Sequence, residues 1–291
     1  MAAVELDPPA AAALPERLPT PTGLSPSRIS AFRDCGLAFR YSSIDKLPEP
    51  PSAPAALGTL VHHALELLFT RPAGERSLDA AMVDLDAAIE LATGTPDGDA
   101  LALGGDGHDD VHERAADLVA RYFALEDPDE IRAIGLELRL EATIGGARIR
   151  GVIDRLDLAP DGTLVVTDYK TGRSPSQFSE QQRMLGVTVY SAMVEQVFGV
   201  RPSRIQLLYL KDPVAISTEP NDRQVRGLDI KVGALWQAIE RACERADFRP
   251  KQSRLCDWCS FQAYCPAFEG DPAAAWAISA ANPDAQRPRP E

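Results

Sequence analysis

The protein has 291 residues, 45% of them hydrophobic and 25% charged, and this ordinary globular composition excludes a fibrous or wholly disordered chain. No apolar run approaches the roughly 20 residues needed to cross a bilayer. The N-terminus also lacks the basic and then apolar segments of a secretory signal, so we expect a cytoplasmic protein. The formal net charge of −13 argues against simple coating of nucleic acid, but eleven of the acids lie in residues 75–113.

The hydrophobic pattern changes from helical to strand periodicity in the middle of the chain. Helical spacing dominates up to about residue 126, alternation marks three consecutive strands after it, and the pattern then returns to helices around a fourth strand. The predicted elements are, in chain order, helices at 27–34, 58–70, 77–92 and 109–126, strands at 136–144, 147–158 and 163–170, a helix at 178–198, a strand at 204–210 and a helix at 222–246.

This order of elements predicts an α/β fold with a mixed central sheet flanked by helices. We expect one domain over residues 25–268, with an acidic helical insert at 75–113. The segments 1–24 and 269–291 are rich in alanine and proline and show no periodicity, so we expect them to be disordered tails.

Two carboxylates are predicted to oppose each other across the hairpin that turns at Asp161. This turn places Asp154 opposite Asp168, with Lys170 on the same face and Tyr169 pointing away. Opposed carboxylates repel unless a cation lies between them, and oxygen ligands of this kind suit Mg²⁺ or Mn²⁺. The alternative is a surface salt bridge with a neighbouring basic residue. The apolar residues predicted on the same face, which favour burial of the pair, are Val152, Leu156, Leu164 and Val166.

A histidine and five cysteines are further candidate ligands. His62 lies on the apolar helix 58–70, although a single histidine there is more typical of a core residue. Cys256, Cys259 and Cys265 have the spacing C-x₂-C-x₅-C, which is typical of a metal site that needs a fourth ligand. Cys35 or Cys243 could supply that ligand, and the spacing alone leaves zinc and iron–sulfur equally open.

Taken together, these residues resemble the RecB-like branch of the PD-(D/E)XK nuclease family. The resemblance rests on the segments GTLVHH, GVIDRLD and TDYKTG and on the cysteines near both ends, and it runs from about residue 24 to 268. The chain is also similar to CRISPR-associated single-strand exonucleases and to the nuclease domain of the AddB subunit. The resemblance implies a restriction-endonuclease-like core whose chain ends are joined at a four-cysteine 4Fe–4S cluster, with zinc as the alternative.

The resemblance also implies roles for particular residues. His62, Asp154, Asp168 and the Tyr169 carbonyl would hold Mg²⁺ or Mn²⁺, and Lys170 would position the attacking water. The family's Gln-x-x-x-Tyr motif is altered, because Gly186 stands where the glutamine is expected. The remaining residues that the resemblance assigns are the cluster ligands Cys35, Cys256, Cys259 and Cys265 and the supporting residues Gln182 and Tyr190. Independently of the resemblance, the basic residues Arg173, Arg183 and Arg204 are candidate contacts for DNA phosphates.

These residues predict a metal-dependent DNA nuclease, acting as an exonuclease on single strands or ends in DNA repair or recombination. The sequence contains no G-x-x-x-x-G-K-[ST] phosphate loop, so a separate helicase is the expected partner for unwinding. The alternative is a catalytically inactive DNA-binding or scaffolding protein that retains the fold and the cluster. The altered glutamine motif favours this alternative, and the intact carboxylates and Lys170 favour the nuclease.

Overall fold

A computed structural model of the protein describes residues 15–50, 52–103, 108–174 and 177–282, without the side chains of 177–187. The chain forms two compact units. The first comprises Met1–Pro50, Ile144–Arg148 and Ile230–Glu291, and the second comprises Pro51–Thr143 and Ile149–Asp229. None of the described helices is both long and apolar enough to cross a membrane.

A five-stranded mixed sheet carries the predicted hairpin. The strands are hydrogen-bonded in the order β1-β2-β3-β4-β5; β3 and β4 are parallel, while β2–β3 and β4–β5 are antiparallel. The mixed α/β architecture predicted from the sequence is therefore confirmed. The fifth strand was not predicted, because it is short and largely exposed and so lacks an apolar alternation. The strands are β1 Ala133–Ile144, β2 Ala147–Leu158, β3 Leu164–Lys170, β4 Arg204–Tyr209 and β5 Val214–Thr218.

The helices follow the predicted order, with additional short elements. A π-helical turn covers Arg40–Ile44, and short 3₁₀ turns follow the last long helix. The α-helices are α1 Pro26–Asp34, α2 Gly36–Phe39, α3 Ala53–Thr70, α4 Leu78–Ala92, α5 Pro96–Ala100, α6 His108–Tyr122, α7 Gln177–Phe198, α8 Asp222–Glu244 and α9 Pro272–Ala281.

The acidic insert packs against α3 and so forms part of the core of the second unit. Helix α3 buries Leu60, Val61 and Leu65, which join the inward side of α4 and α6 in one apolar cluster. Most acidic residues of the insert point away from this cluster to solvent. The insert therefore follows the amphipathic pattern of a surface helix layer.

The two predicted tails differ from expectation where the structure describes them. Helix α9 begins at Pro272, the Asp271 side chain caps it by accepting from the backbone N–H of Ala273, and Ala275 is fully buried. Alanine is the strongest helix former, so a capped alanine-rich run forms a helix once one side is covered. Near the other end, Leu18 and Leu24 are buried and donate backbone hydrogen bonds within the first unit.

The hairpin register is the one that the turn at Asp161 predicts. Arg155 pairs with Thr167 and Leu156 pairs with Val166, so one further step along the strands places Asp154 opposite Asp168. Leu156 and Val166 are buried, but Val152 is 37% exposed, contrary to the expectation that the whole face is covered. Val152 would face Lys170, the last residue of β3, so the apolar face opens where the neighbouring strand ends.

Candidate active site

Three potential metal ligands meet where α3 approaches the sheet. One donor atom from each of His62, Glu137 and Asp154 lies within 4.8 Å of the other two. Helix α3 supplies the histidine, β1 the glutamate and β2 the aspartate. Gly58, one turn before His62, lets the helix come close, because a Cβ there would lie 3.2 Å from the Thr171 side-chain oxygen.

The backbone of Tyr169 holds two of these ligands in place. Its N–H donates to Asp154 Oδ2 at 2.7 Å, and its carbonyl oxygen lies 3.1 Å from His62 Nε2. Because a carbonyl only accepts, the imidazole must carry its proton on Nε2. The unprotonated Nδ1 then faces Asp154 Oδ2 at 3.5 Å, with its lone pair available to a cation.

The carboxylates of the site are difficult to ionise without a cation. Burial, followed by the nearby charge of Asp168, raises the pKa of Asp154 to about 8, although the Tyr169 N–H and Lys170 oppose the shift. Burial and the charge of Glu66 also raise the pKa of Glu137. Such shifts arise where like charges share a poorly solvated site.

Asp168 and Lys170 form an ion pair beside the three ligands. The lysine ammonium contacts Asp168 Oδ2, and the aspartate is 7% exposed while the lysine side chain is 40% exposed. Burial lowers the pKa of Lys170, but the charge of Asp168 and the hydrogen bond to it outweigh this effect and raise it. Lys170 is therefore a permanent cation that still reaches solvent. Asp168, predicted as a ligand, is close to the three-ligand set but is not a member of it.

His62 remains neutral at this position. Burial is the main cause that lowers its pKa, and Lys170 lowers it further, while Asp168 and the hydrogen bond to Tyr169 act in the opposite direction. A neutral imidazole is the form that binds metals. Tyr169, whose carbonyl was predicted as a ligand, uses that carbonyl to accept from His62.

Glu137 is the site residue that the sequence analysis missed. In an alternating strand it would point away from the face shared by Leu136 and Leu138. Its φ of +42° breaks the alternation, and the burial pattern of β1 is irregular from 134 to 138. Local kinks of this kind redirect a side chain next to active sites. The signal available in the sequence was Gly135, because an isolated glycine inside a strand often marks a bulge or bend.

Tyr190 lies near the carboxylates, as the resemblance implies. Burial and the charges of Asp168, Asp154 and Glu137 raise its pKa, so the phenol stays protonated. Gly151 makes room for it, because a Cβ there would lie 3.1 Å from the Tyr190 ring. The side chains of Gln182 and Arg183, and the altered motif position Gly186, lie outside the described residues.

The two described arginines predicted to contact DNA lie at opposite ends of the sheet. Arg173 is exposed three residues after Lys170, on the side of the site. Arg204 is also exposed, but it lies on β4 and pairs with Val165 of β3, which is five residues before Lys170. At about 3.3 Å per residue, Arg204 is roughly 16 Å from the lysine along the strand. Of these two arginines, Arg173 is therefore the nearer to Lys170 along the chain.

Four cysteines line one pocket of the first unit. Cys35 follows α1, Cys256 lies in the 3₁₀ turn Arg254–Trp258, and Cys259 and Cys265 directly follow the 3₁₀ turns Arg254–Trp258 and Gln262–Tyr264. Backbone N–H groups point at two of the sulfurs, from Lys251 to Cys35 and from Ser253 to Cys256, both at 3.4 Å. Cys243, the other candidate for the fourth position, is instead buried on α8 and donates to the Pro19 carbonyl at 3.6 Å.

Comparison with known proteins identifies the family. The chain matches the PD-(D/E)XK nuclease superfamily over residues 23–266. It is 26% identical over 273 residues to the Gene 69 protein of Mycobacterium phage D29, covering 84% of this chain and 97% of that protein. It is also 26% identical over 141 residues to the Gene 69 protein of Mycobacterium phage L5, covering 46% and 45%.

Structural comparison agrees with this match. A crystal structure of a candidate exonuclease from Eubacterium rectale superimposes with a TM-score of 0.53 and 13% identity, covering 82% of this chain and 87% of that one. At this identity the similarity supports the fold alone. The family match contains the hairpin with its paired acids, the lysine strand and the α3 histidine in one span. From its sequence match and its sheet, the chain therefore belongs to the PD-(D/E)XK nuclease superfamily.

Proposed function

We propose that this protein is a Mg²⁺- or Mn²⁺-dependent deoxyribonuclease that hydrolyses phosphodiester bonds in single-stranded DNA or at DNA ends. The observation that carries the proposal is the ligand set of His62, Glu137 and Asp154 beside the Asp168–Lys170 pair. The side chain of Lys170 is 40% exposed and can therefore reach a substrate, which favours the nuclease over the inactive alternative. The exonuclease mode is supported by the description of the structural neighbour from Eubacterium rectale.

The donor set fits a hard divalent cation. His62 Nδ1 and the carboxylates of Glu137 and Asp154 would hold it, with the Asp168 carboxylate and the Tyr169 carbonyl nearby. Oxygen ligands with one imidazole suit Mg²⁺ or Mn²⁺. The raised pKa of Asp154 also supports a cation site, because a bound cation would offset the repulsion between Asp154 and the neighbouring carboxylates. When bound, such an ion lowers the pKa of a water ligand and offsets charge on the scissile phosphate.

The chain's own residues then orient the reacting groups. The Lys170 ammonium is fixed by Asp168 and reaches solvent, so it can donate a hydrogen bond to the attacking water or to a phosphate oxygen. Its positive charge is retained throughout, because the adjacent carboxylate raises its pKa. The protonated Tyr190 phenol can donate to the same region, and Arg173 is the nearby candidate contact for the DNA backbone.

We also propose that the four cysteines hold a 4Fe–4S cluster. Four thiolates and two backbone N–H groups directed at sulfur are suitable ligation for such a cluster. A structural zinc ion is the alternative occupant of the same four thiolates.

The proposed setting is DNA repair or recombination in the cytoplasm. The phosphate loop of nucleic-acid motors is absent from the sequence, so duplex unwinding would require a separate helicase as partner. Single-stranded DNA and frayed ends are accordingly the proposed substrates.

Digestion of end-labelled DNA tests the proposal directly. With Mn²⁺ or Mg²⁺, the purified protein is expected to degrade single-stranded oligonucleotides labelled at either the 5′ or the 3′ end, and EDTA is expected to stop the reaction. Duplexes with blunt ends serve as the comparison, and we expect them to be degraded more slowly. If DNA is bound but stays intact with both metals, the protein is the inactive DNA-binding alternative and the nuclease proposal is wrong.

Metal binding is expected to depend steeply on pH. Because the pKa of Asp154 is about 8, the metal-free site holds a proton below that pH and must release it to bind a cation. We expect the Kd for Mn²⁺ to fall about tenfold per pH unit from pH 6 to pH 8 and to level off above. Calorimetric titrations in two buffers of different ionisation enthalpy would measure both the affinity and the proton release.

The raised pKa of Asp154 also predicts how the stability of the metal-free protein depends on pH. An acid whose pKa is raised by folding favours the folded state below its unfolded pKa of about 4, and this contribution is lost as the pH rises towards 8. The metal-free protein should therefore become less stable over that range, and Mn²⁺ should restore the loss. Denaturant unfolding of the metal-free protein at several pH values measures this, and a free energy of unfolding that does not fall between pH 5 and pH 8 would contradict the prediction.

A further inference from the structure

The Tyr169 side chain lies on the face of β3 opposite Asp168 and Lys170, and its ring packs edge-on against the His62 ring, with the centroids 5.8 Å apart. The residue is 3% exposed, and its hydroxyl accepts a hydrogen bond from Arg155 at 2.7 Å. Its ring packs edge-on against Tyr122, with the ring centroids 5.8 Å apart. The backbone of the same residue binds Asp154 and His62, so Tyr169 connects the interior network to the candidate metal site.

Arg155 is fully buried and uses every N–H donor that it has. Its Nε donates to Asp157 at 2.8 Å, and its guanidinium lies 4.4 Å above the Phe69 ring centroid. A planar guanidinium has five N–H donors in a fixed geometry, so all five being used defines one position of the group. The four further contacts are from Nη1 to Tyr122 at 3.2 Å and to Tyr169 at 2.7 Å, and from Nη2 to Glu126 at 2.8 Å and to Thr167 at 3.3 Å.

Arg155 also adjoins a metal ligand along the chain. It directly follows Asp154 on β2, so the two side chains point to opposite faces of the strand. The arginine therefore fixes β2 from the interior, and through the Tyr169 hydroxyl it fixes β3 as well. The two strands that carry the opposed aspartates are thus tied together behind the site.

We propose that Arg155 and the Tyr169 hydroxyl are positioning residues that set the separation of His62 and Asp154 for metal binding. Tyr169 transmits the constraint, because its N–H and carbonyl each bind one of these ligands. Partners beyond the ligands orient them and influence metal affinity. This inference rests on the proposed metal-dependent function.

If Arg155 and the Tyr169 hydroxyl only stabilised the fold, their removal would lower the stability of the protein without a selective loss of metal affinity. A buried ion pair contributes little net stability, because the loss of hydration offsets most of the attraction. The network also offers two tyrosines that both accept from Nη1 of Arg155, yet only one of them touches the ligands. Tyr122 also donates to Glu126, and within the described part of the chain it makes no hydrogen bond to His62 or Asp154. Comparing substitutions of Tyr169 and Tyr122 therefore distinguishes a role in positioning the ligands from a role in packing.

The test compares Tyr169→Phe with Tyr122→Phe in the full-length protein. Each variant removes one hydroxyl from the same arginine nitrogen and keeps the ring. Calorimetric titration with Mn²⁺ alone is expected to show a Kd about tenfold weaker for Tyr169→Phe and unchanged for Tyr122→Phe. Melting temperatures without metal are expected to fall by similar amounts in both.

Each outcome decides the inference. Equal Mn²⁺ affinities for wild type and Tyr169→Phe would overturn it, and so would an equal loss in both variants, since that result would reflect packing. Absence of Mn²⁺ binding by the wild type would overturn the proposed function itself, and the positioning role with it. Because the titration needs no DNA, the failure of one proposal can be distinguished from the failure of the other.

Discussion

Lys170→Ala is expected to lower the rate of DNA cleavage by about 10²–10³-fold while Mn²⁺ binding is retained. Removing one charged donor directed at the reacting groups typically has an effect of this size. The lysine is fixed against Asp168 beside the ligand set, so its ammonium is already aimed when substrate arrives. Metal binding should survive or strengthen, because the lost charge had the same sign as the cation.

The matched control is Lys231→Ala, which removes an exposed lysine from α8. We expect it to leave cleavage unchanged. The measurement is single-turnover digestion of labelled single-stranded DNA at saturating Mn²⁺, together with calorimetric Mn²⁺ titration of each variant. Wild-type rates for Lys170→Ala would show that the lysine has no part in the reaction, and the residue roles proposed above would have to be reassigned.

The sequence predicted the part of the site that depends on strand periodicity. Asp154, Asp168 and Lys170 share a face because side chains alternate regularly once the turn at Asp161 fixes the register. The same rule placed Tyr169 on the other face, where it is buried. The face on which a strand residue lies follows from local geometry, so it can be predicted without knowing how the rest of the chain folds.

Glu137 could not be predicted by the same rule, because the rule fails at that residue. Its positive φ turns an outward position towards the site, and Gly135, two residues earlier, indicates a bend without showing which side chain the bend redirects. The role of Tyr169 was also only partly visible, since its hydrogen bonds to His62 and Asp154 depend on how α3 packs on the sheet. Contacts between distant segments are the features that periodicity alone leaves undetermined.

The ends of the described chain show a related limit. The run after Asp271 was predicted to be a tail because its composition has no alternation between apolar and polar residues, yet it forms α9. Alanine favours a helix without showing which side of it is buried, so a prediction from hydrophobic periodicity misses an alanine-rich helix. Likewise, Cys35 and Cys256 come together over more than two hundred residues, which the C-x₂-C spacing alone could not establish.

Cys35→Ser is expected to lose the 4Fe–4S cluster and to lower the melting temperature by about 10 °C. Thiolate sites seldom keep their shape without the metal, so the free energy of cluster binding is also free energy of folding. For a protein of this size, each kcal/mol lost shifts the melting temperature by roughly 2–4 °C, so a loss of a few kcal/mol gives this shift. The checks are iron content, the absorbance band near 400 nm in anaerobically purified protein, and thermal unfolding.

Cys243→Ser provides the matched control, because it makes the same substitution outside the four-cysteine pocket. Burial raises the pKa of the Cys243 thiol to about 11, and its sulfur donates to the Pro19 carbonyl, so it behaves as a small packed side chain. We expect full iron content and a shift of only a few degrees. Iron lost equally from both variants would contradict the assignment of Cys35, and a wild type that carries zinc would replace the cluster with a zinc site. The two variants differ only in which sulfur is removed, so a selective loss of iron would identify the fourth ligand.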